Sequence, residues 1–256
     1  MNVVKSTQAK WAARLVAHVG AAGIARFLGA VAVTTAAVLI SPIGLPAASA
    51  APCPDVEVVF ARGTMEPAGI GPEGQGFVDA LSSRVGGKSV GVYPVNYPAS
   101  LDFPTAVDGV IDEGNHIVSM AANCPNTKMV LGGYSQGAAV TGYVTSDRIP
   151  DGYNPPDGIK GPMAPQVASH VAAVALFGTP SNEFLARYNA PPLTIGQLYA
   201  AKTIQLCAPG DPVCSPDGND NGAHTLYAVN GMESQAADFA ARQLGRDWGN
   251  TGGQLT

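Results

Sequence analysis

Beyond residue 50, short apolar runs alternate with segments of helical periodicity. The runs are VEVVFA (56–61), SVGVYPVNY (89–97), KMVLGGYS (128–135), VAAVALFG (171–178) and KTIQLC (202–207). They are rich in Val, Leu and Ile and show little strict apolar–polar alternation, the pattern of strands covered on both faces. Between the second and third runs, Val107, Val110, Ile111, Gly114, Ile117, Val118 and Ala121 recur at helical spacing. Further helices are predicted around 74–85, 136–146 and 234–244. Strands separated by helices or long crossovers predict an α/β fold: a five-stranded parallel sheet in a three-layer α/β/α arrangement. No internal repeat or interdomain linker interrupts residues 51–256, which read as a single domain. One stretch breaks the rhythm: DRIPDGYNPPDGIKGPMAPQ (147–166) is crowded with Pro, Gly and Asp. Loops this long are functional or disordered, so the segment is either a solvated excursion or a flap near a site mouth.

The first fifty residues have a different pattern. Lys5, Lys10, Arg14 and Arg26 precede or abut the apolar stretch FLGAVAVTTAAVLI, and no acidic residue occurs before Asp55. Pro42 and Pro46 then break helix, and ASA at 48–50 is an A-x-A-like cleavage site, which together describe an export signal with the mature start near Ala51. The alternative is an uncleaved anchor, because the apolar stretch from Phe27 to Leu45 approaches the roughly 20 residues that span a bilayer.

Removing the leader changes the charge. Four of the 14 Lys and Arg lie in it, so the rest of the chain carries ten against 19 Asp and Glu, a net of −9. The remaining basic residues are scattered, which argues against a nucleic-acid partner. All four cysteines, Cys53, Cys124, Cys207 and Cys214, follow the leader. An even count behind an export signal reads as two disulfides. Of three pairings, the local Cys207–Cys214 bridge is favoured, leaving Cys53 for Cys124. No C-x-x-C or H-x-x-x-H spacing supports a metal site.

The chemistry centres on GYSQG (133–137), a G-x-S-x-G pattern at the end of the third run and the start of a helix. That is the strand–turn–helix context of a nucleophile elbow, with Ser135 as nucleophile and Gly133 and Gly137 keeping the turn free of side chains. A serine needs a base, and the base an orienting carboxylate, in the chain order Ser, acid, His. His116 precedes Ser135 within a helical stripe and reads as a surface or boundary residue. His170, just before the fourth run, reads as structural. His224, in the loop after the fifth run, is the base. Asp211, inside the ring that Cys207–Cys214 would close, is the favoured carboxylate; Asp217 and Asp220 are rivals in a looser stretch. The oxyanion hole falls to the backbone N–H of Gln136 and to the loop FARGTMEPAG (60–69), where Thr64 offers an N–H and a hydroxyl.

FARGTMEP, GGYSQGA and GDPVC followed by His224, with cysteines flanking the core, resemble the cutinase family of secreted serine esterases, in the style of its actinobacterial members. The resemblance runs from about Cys53 to Leu244. It implies a small α/β-hydrolase with Ser135, Asp211 and His224 as triad and Thr64 and Gln136 at the oxyanion hole. It also implies disulfides Cys53–Cys124 and Cys207–Cys214. The 147–166 segment is longer than the matching connection in fungal members, and Thr64 stands where those carry Ser. Bacterial members resemble general esterases, lipases or phospholipases. The resulting expectation is a secreted, monomeric carboxylic-ester hydrolase acting on ester or lipid substrates, with no metal or organic cofactor and no membrane insertion once the signal is removed. A lipase or phospholipase, an acyltransferase, and a non-catalytic secreted or cell-surface binding protein are the alternatives.

Overall fold

The computed structural model describes residues 52–151 and 154–251; the leader expected over 1–50 lies outside them. Five strands form one sheet: β1 (Val56–Ala61), β2 (Val90–Pro94), β3 (Lys128–Tyr134), β4 (Val171–Phe177) and β5 (Thr203–Leu206). All neighbours are parallel, in the order β2-β1-β3-β4-β5. The apolar runs follow from this placement. β1, β3 and β4 are interior, and every residue of β1 and β4 is buried, so both faces must be apolar.

The helices are α1 (Gly71–Ser82), α2 (Val107–Asn123), α3 (Gln136–Val144), α4 (Pro165–Ala168), α5 (Asn182–Ala186), α6 (Gln197–Ala200) and α7 (Met232–Thr251). On one side of the sheet, Val58, Phe60, Val130, Ala175 and Phe177 pack against Phe77 and Leu81 of α1 and Ala236, Ala237 and Ala240 of α7. Phe60, Phe77 and Phe177 form a ring cluster with centroids 5.8–6.4 Å apart. On the other side, Val59, Ala61, Leu131, Val174 and Leu176 meet Ile117 of α2 and Val140 and Val144 of α3. A register shift between Met129 and Val130 opposes β4, and there Ala172 and Ala173 both face the α1/α7 side. The second predicted strand ends early. Val95 still donates its N–H to Phe60 O at 3.0 Å, and the outward-facing Asn96 N–H is taken by the Asp112 carboxylate at 2.8 Å.

Two disulfides tie the periphery. Cys53–Cys124 joins the approach to β1 to the end of α2, and Cys207–Cys214 closes a short ring after β5. Successive crossovers leave β1 and β3 side by side with their connections on opposite faces. Their carboxyl ends therefore open a crevice, the position where open α/β sheets bind ligands.

Candidate active site

Ser135 closes β3 at that crevice with φ 54° and ψ −118°, a backbone conformation that is costly for any residue with a side chain. Its N–H is held by Phe177 O at 2.9 Å. The flanking glycines are required by close approach rather than by flexibility. A Cβ on Gly133 would lie 2.4 Å from Gly137 O, and one on Gly137 would lie 2.0 Å from Ala61 O. The elbow thus wedges α3 against the end of β1, and the first-turn N–H groups of α3, Gln136 among them, have no intrahelical acceptor.

Ser135 Oγ lies 2.8 Å from His224 Nε2, and His224 Nδ1 lies 2.7 Å from Asp211 Oδ2. His224 sits in a 3-10 turn (Asn221–Thr225) started by Asp220, whose carboxylate accepts the Gly222 N–H at 2.9 Å. Its ring is stacked on Tyr134 at 5.2 Å and meets the edge of Tyr227 at 6.1 Å. The Tyr134 hydroxyl donates to His224 O at 2.6 Å, fixing the backbone beneath the imidazole. Asp211 is wholly buried. Besides the imidazole, its carboxylate accepts the Val213 N–H at 2.8 Å and the Tyr227 hydroxyl at 2.6 Å. Burial pushes the Tyr134 and Tyr227 phenols up, so both stay protonated donors throughout the physiological range. Of the rival acids, Asp217 is exposed and Asp220 is the turn cap just described.

The opposite wall is the loop after β1. Thr64 is half-buried there, between a buried Arg62 and Glu66. The Arg62 guanidinium donates to Glu66 O at 2.9 Å and to Tyr97 O at 2.7 Å, while the Tyr97 hydroxyl donates to Arg62 O. Glu66 Oε2 accepts the Gly63 N–H at 2.5 Å. Desolvation, outweighing that bond and reinforced by neighbouring Glu73, pushes the Glu66 carboxyl up to about 7. The segment 98–100 links this loop to α3. Ala99 O accepts the Met65 N–H at 2.6 Å, and Ser100 O accepts Gln136 Nε2 at 3.0 Å. Residues 99 and 100 thus touch both the backbone beside Thr64 and the side chain of Gln136.

Residues 52–244 match the cutinase family model. The chain belongs to the cutinase family. It is 61% identical over 169 residues to the probable carboxylesterase Culp5 of Mycobacterium tuberculosis, covering 66% of this chain and 95% of that one. It is 47% identical over 225 residues to the phospholipase Culp4 of the same organism, covering 88% of this chain and 94% of that one. Among solved structures it is similar to a Trichoderma reesei cutinase bound to a phosphonate inhibitor. The TM-score there is 0.58 and the identity 35%, over 75% of this chain and 78% of the other. These similarities make the protein a serine carboxylic-ester hydrolase.

Within this cutinase fold the structure brings together Ser135, His224 and Asp211 and sets Thr64 and Gln136 on the two sides of the crevice. His116 and His170 lie elsewhere. His116 is stacked on Tyr93 and bonded to Glu57 Oε2 at 2.8 Å, and His170 is in the turn before β4. Sequence reasoning missed Tyr227, Tyr134, Arg62 and Glu66. Only Arg62 carried a signal, as a charged residue directly after the apolar run 56–61 and before Gly63. Among the described residues, no group of three or more His, Cys, Asp or Glu could hold a metal ion.

Proposed function

We propose that the protein hydrolyses carboxylic esters through an acyl-enzyme on Ser135. The observation that carries this is the continuous bond line from Asp211 through both nitrogens of His224 to Ser135 Oγ at a strained elbow. His224 Nε2 takes the hydroxyl proton as Oγ attacks the ester carbonyl carbon, and Asp211 stabilises the imidazolium that forms. The oxyanion is held by the N–H groups of Gln136 and Thr64 and the Thr64 hydroxyl, helped by the positive end of α3. Collapse expels the alcohol, which leaves with the proton from His224. Water then attacks the acyl carbon, gives a proton to His224, and the acid departs as Ser135 recovers its proton.

The protein acts outside the cell as a monomer on ester or lipid substrates, after an export signal over 1–50 is removed from the domain at 51–256. Both disulfides and the basic-then-apolar leader support export. No helix among the described residues is long and apolar enough to cross a membrane. Labelling with a fluorophosphonate tests the reading. We expect a covalent adduct on Ser135, lost in Ser135→Ala together with at least about a 10⁴-fold fall in kcat on p-nitrophenyl butyrate. An unlabelled, oxidised protein with intact fold would instead mark a binding protein that keeps only the architecture.

A further inference from the structure

Behind the loop after β1 lies a group of carboxyls that the catalytic scheme does not use. Glu73 stands in the first turn of α1 and Glu233 in the first turn of α7, and only 7% and 9% of these residues is exposed. The Glu66 carboxyl of the loop is hydrogen-bonded to that of Glu73, and Glu233 faces Glu73 from the other helix. Helix α1 makes room for them with glycine. A Cβ on Gly71 would overlap the Glu66 carboxyl, and one on Gly76 would overlap that of Glu233. Among the described residues, no donor meets Glu73 Oε2 or Glu233 Oε1, although both atoms are buried. The Arg62 guanidinium is aimed at carbonyl oxygens instead, those of Glu66, Tyr97 and Pro98 at 2.9, 2.7 and 3.3 Å. Two carboxyls can be hydrogen-bonded to each other only if one of them carries a proton. Burial, reinforced by the neighbouring Glu73, keeps such a proton on Glu66 up to a pH of about 7.

We infer that Glu66 is a positioning residue for the oxyanion hole and works through the proton it shares with Glu73. With that proton in place, Glu66 is a neutral acceptor for the Gly63 N–H; its loss puts a negative charge beside the forming oxyanion and slows acylation. The inference rests on Ser135 as nucleophile and Thr64 at the oxyanion hole, and it names what controls that hole. The backbone carries the effect to the reacting atoms. Glu66 Oε2 holds the Gly63 N–H at 2.5 Å and Ala99 O holds the Met65 N–H at 2.6 Å, so the chain is fixed on both sides of Thr64. The opposing pull on the imidazolium acts from farther away. Gly63 lies against one side of the Tyr134 ring, and His224 is stacked on that ring at 5.2 Å. Other groups around Glu66 do not titrate in this window. The Tyr97 and Tyr134 phenols are pushed up by burial and stay protonated, while Asp211 acts on Tyr134 and Asp79 on Glu233 as further negative neighbours. At an effective dielectric of about 20, two like charges on the order of 10 Å apart repel enough to slow the step roughly tenfold.

The test compares the pH dependence of kcat/KM on p-nitrophenyl butyrate for wild type, Glu66→Gln and Glu73→Gln. His224 must be unprotonated to act as base, so every profile rises on the acid side. The wild type is expected to fall roughly tenfold between neutrality and pH 9. Glu66→Gln cannot ionise, so the fall is expected to vanish and the ratio of kcat/KM at pH 9 to that at pH 6.5 to rise at least about fivefold over wild type. Glu73→Gln removes the neighbouring charge, and its fall is expected to begin at least about half a pH unit lower. A merely structural glutamate would change the height of the profile and leave its shape. Carboxyl 13C resonances of glutamate-labelled protein give a second readout that needs no reaction at Ser135. The Glu66 and Glu73 signals, assigned by their loss in the two variants, are expected to move together through neutral pH. A wild-type profile without the fall, a fall that persists in Glu66→Gln, or a Glu66 carboxyl already ionised at pH 5.5 would overturn the inference. A Ser135→Ala protein that keeps its esterase activity while the two carboxyls still titrate together would overturn the nucleophile and leave the shared proton standing.

Discussion

Two loops converge on Ser135 and are held in opposite ways. The loop after β5 carries Asp211 inside a covalent ring, and the carboxylate is met by a backbone N–H, a phenol and the imidazole. The loop after β1 carries Thr64 between a buried guanidinium and a carboxyl that desolvation has pushed up to about 7. One side is fixed by a disulfide and by phenols that stay protonated; the other depends on a group that titrates near neutrality. The difference suits their tasks. The acid–base arm must keep one tautomer and one ring orientation in place. In the proposed mechanism, the other arm supplies oxyanion N–H groups beside a carboxyl whose charge changes with pH.

The comparison breaks most visibly at Asp211. Asp211→Asn should keep the fold and lower kcat on an activated ester by about 10³–10⁴-fold, because the amide no longer holds the imidazole in the productive tautomer. Near-normal turnover would remove Asp211 from the scheme. Tyr227→Phe sharpens the same side. Losing a hydrogen bond to a buried carboxylate costs about 1.5–3 kcal/mol, so kcat should fall about 10- to 100-fold in protein whose circular dichroism is unchanged. Tyr227 also accepts the Ala208 N–H at 3.0 Å, so a fall in melting temperature should accompany the kinetic loss.

The other loop is probed by pH. The Glu66 carboxyl lies at about 7 in the fold, above the 4.5 of an unperturbed group, so the native state holds its proton more tightly than the unfolded chain. The stability this contributes is complete below pH 4.5 and is lost as pH rises through 7. Glu233, pushed up to about 7 by burial and by Glu73 and Asp79, acts in the same direction. Glu66→Gln keeps an acceptor for Gly63 but cannot ionise. Relative to wild type, its melting temperature should therefore be a few degrees higher at pH 8.5 than at pH 5, as read by calorimetry. A difference that does not change with pH would mean that Glu66 does not titrate in this window. The smallest effect is expected from reduction. Opening Cys207–Cys214 removes a short ring worth on the order of 2–3 kcal/mol at most, so dithiothreitol should cut activity severalfold before the fold is lost. Unchanged activity with both bridges open by thiol counting would show that Tyr227 and Val213 suffice to hold Asp211.

Much of this architecture could be read from the chain because the sheet is buried on both faces. Continuous apolar runs such as VEVVFA and VAAVALF are what an interior parallel strand needs, and their observed limits match the runs within a residue or two. The edge strand was read too long because Val95 and Tyr97 continue the alternation although pairing with β1 ends with the Val95–Phe60 bond. Single-turn helices such as α4, α5 and α6 are too short to show a period. At the carboxyl end Gly245 and Gly249 resemble stops, yet α7 runs through both. At the site, the serine, histidine and aspartate stand out because their chain order and loop settings are constrained by the chemistry. Tyr227 does not, since its value comes from a fold-back that aims one phenol at Asp211 from 16 residues away. Glu66 reads as an ordinary surface acid until burial beside Glu73 is known.

The sheet order also has a consequence for how the chain is made. β1 is synthesised first among the strands, yet it lies between β2 and β3, and Val56 is paired across the sheet with Lys128. The centre of the molecule therefore cannot assemble until its midpoint has emerged, and Cys53 must wait as long for Cys124. Pairings so distant along the chain are slow to find and leave apolar strands uncovered meanwhile. The period between the appearance of β1 and of β3 is when this protein most needs a chaperone.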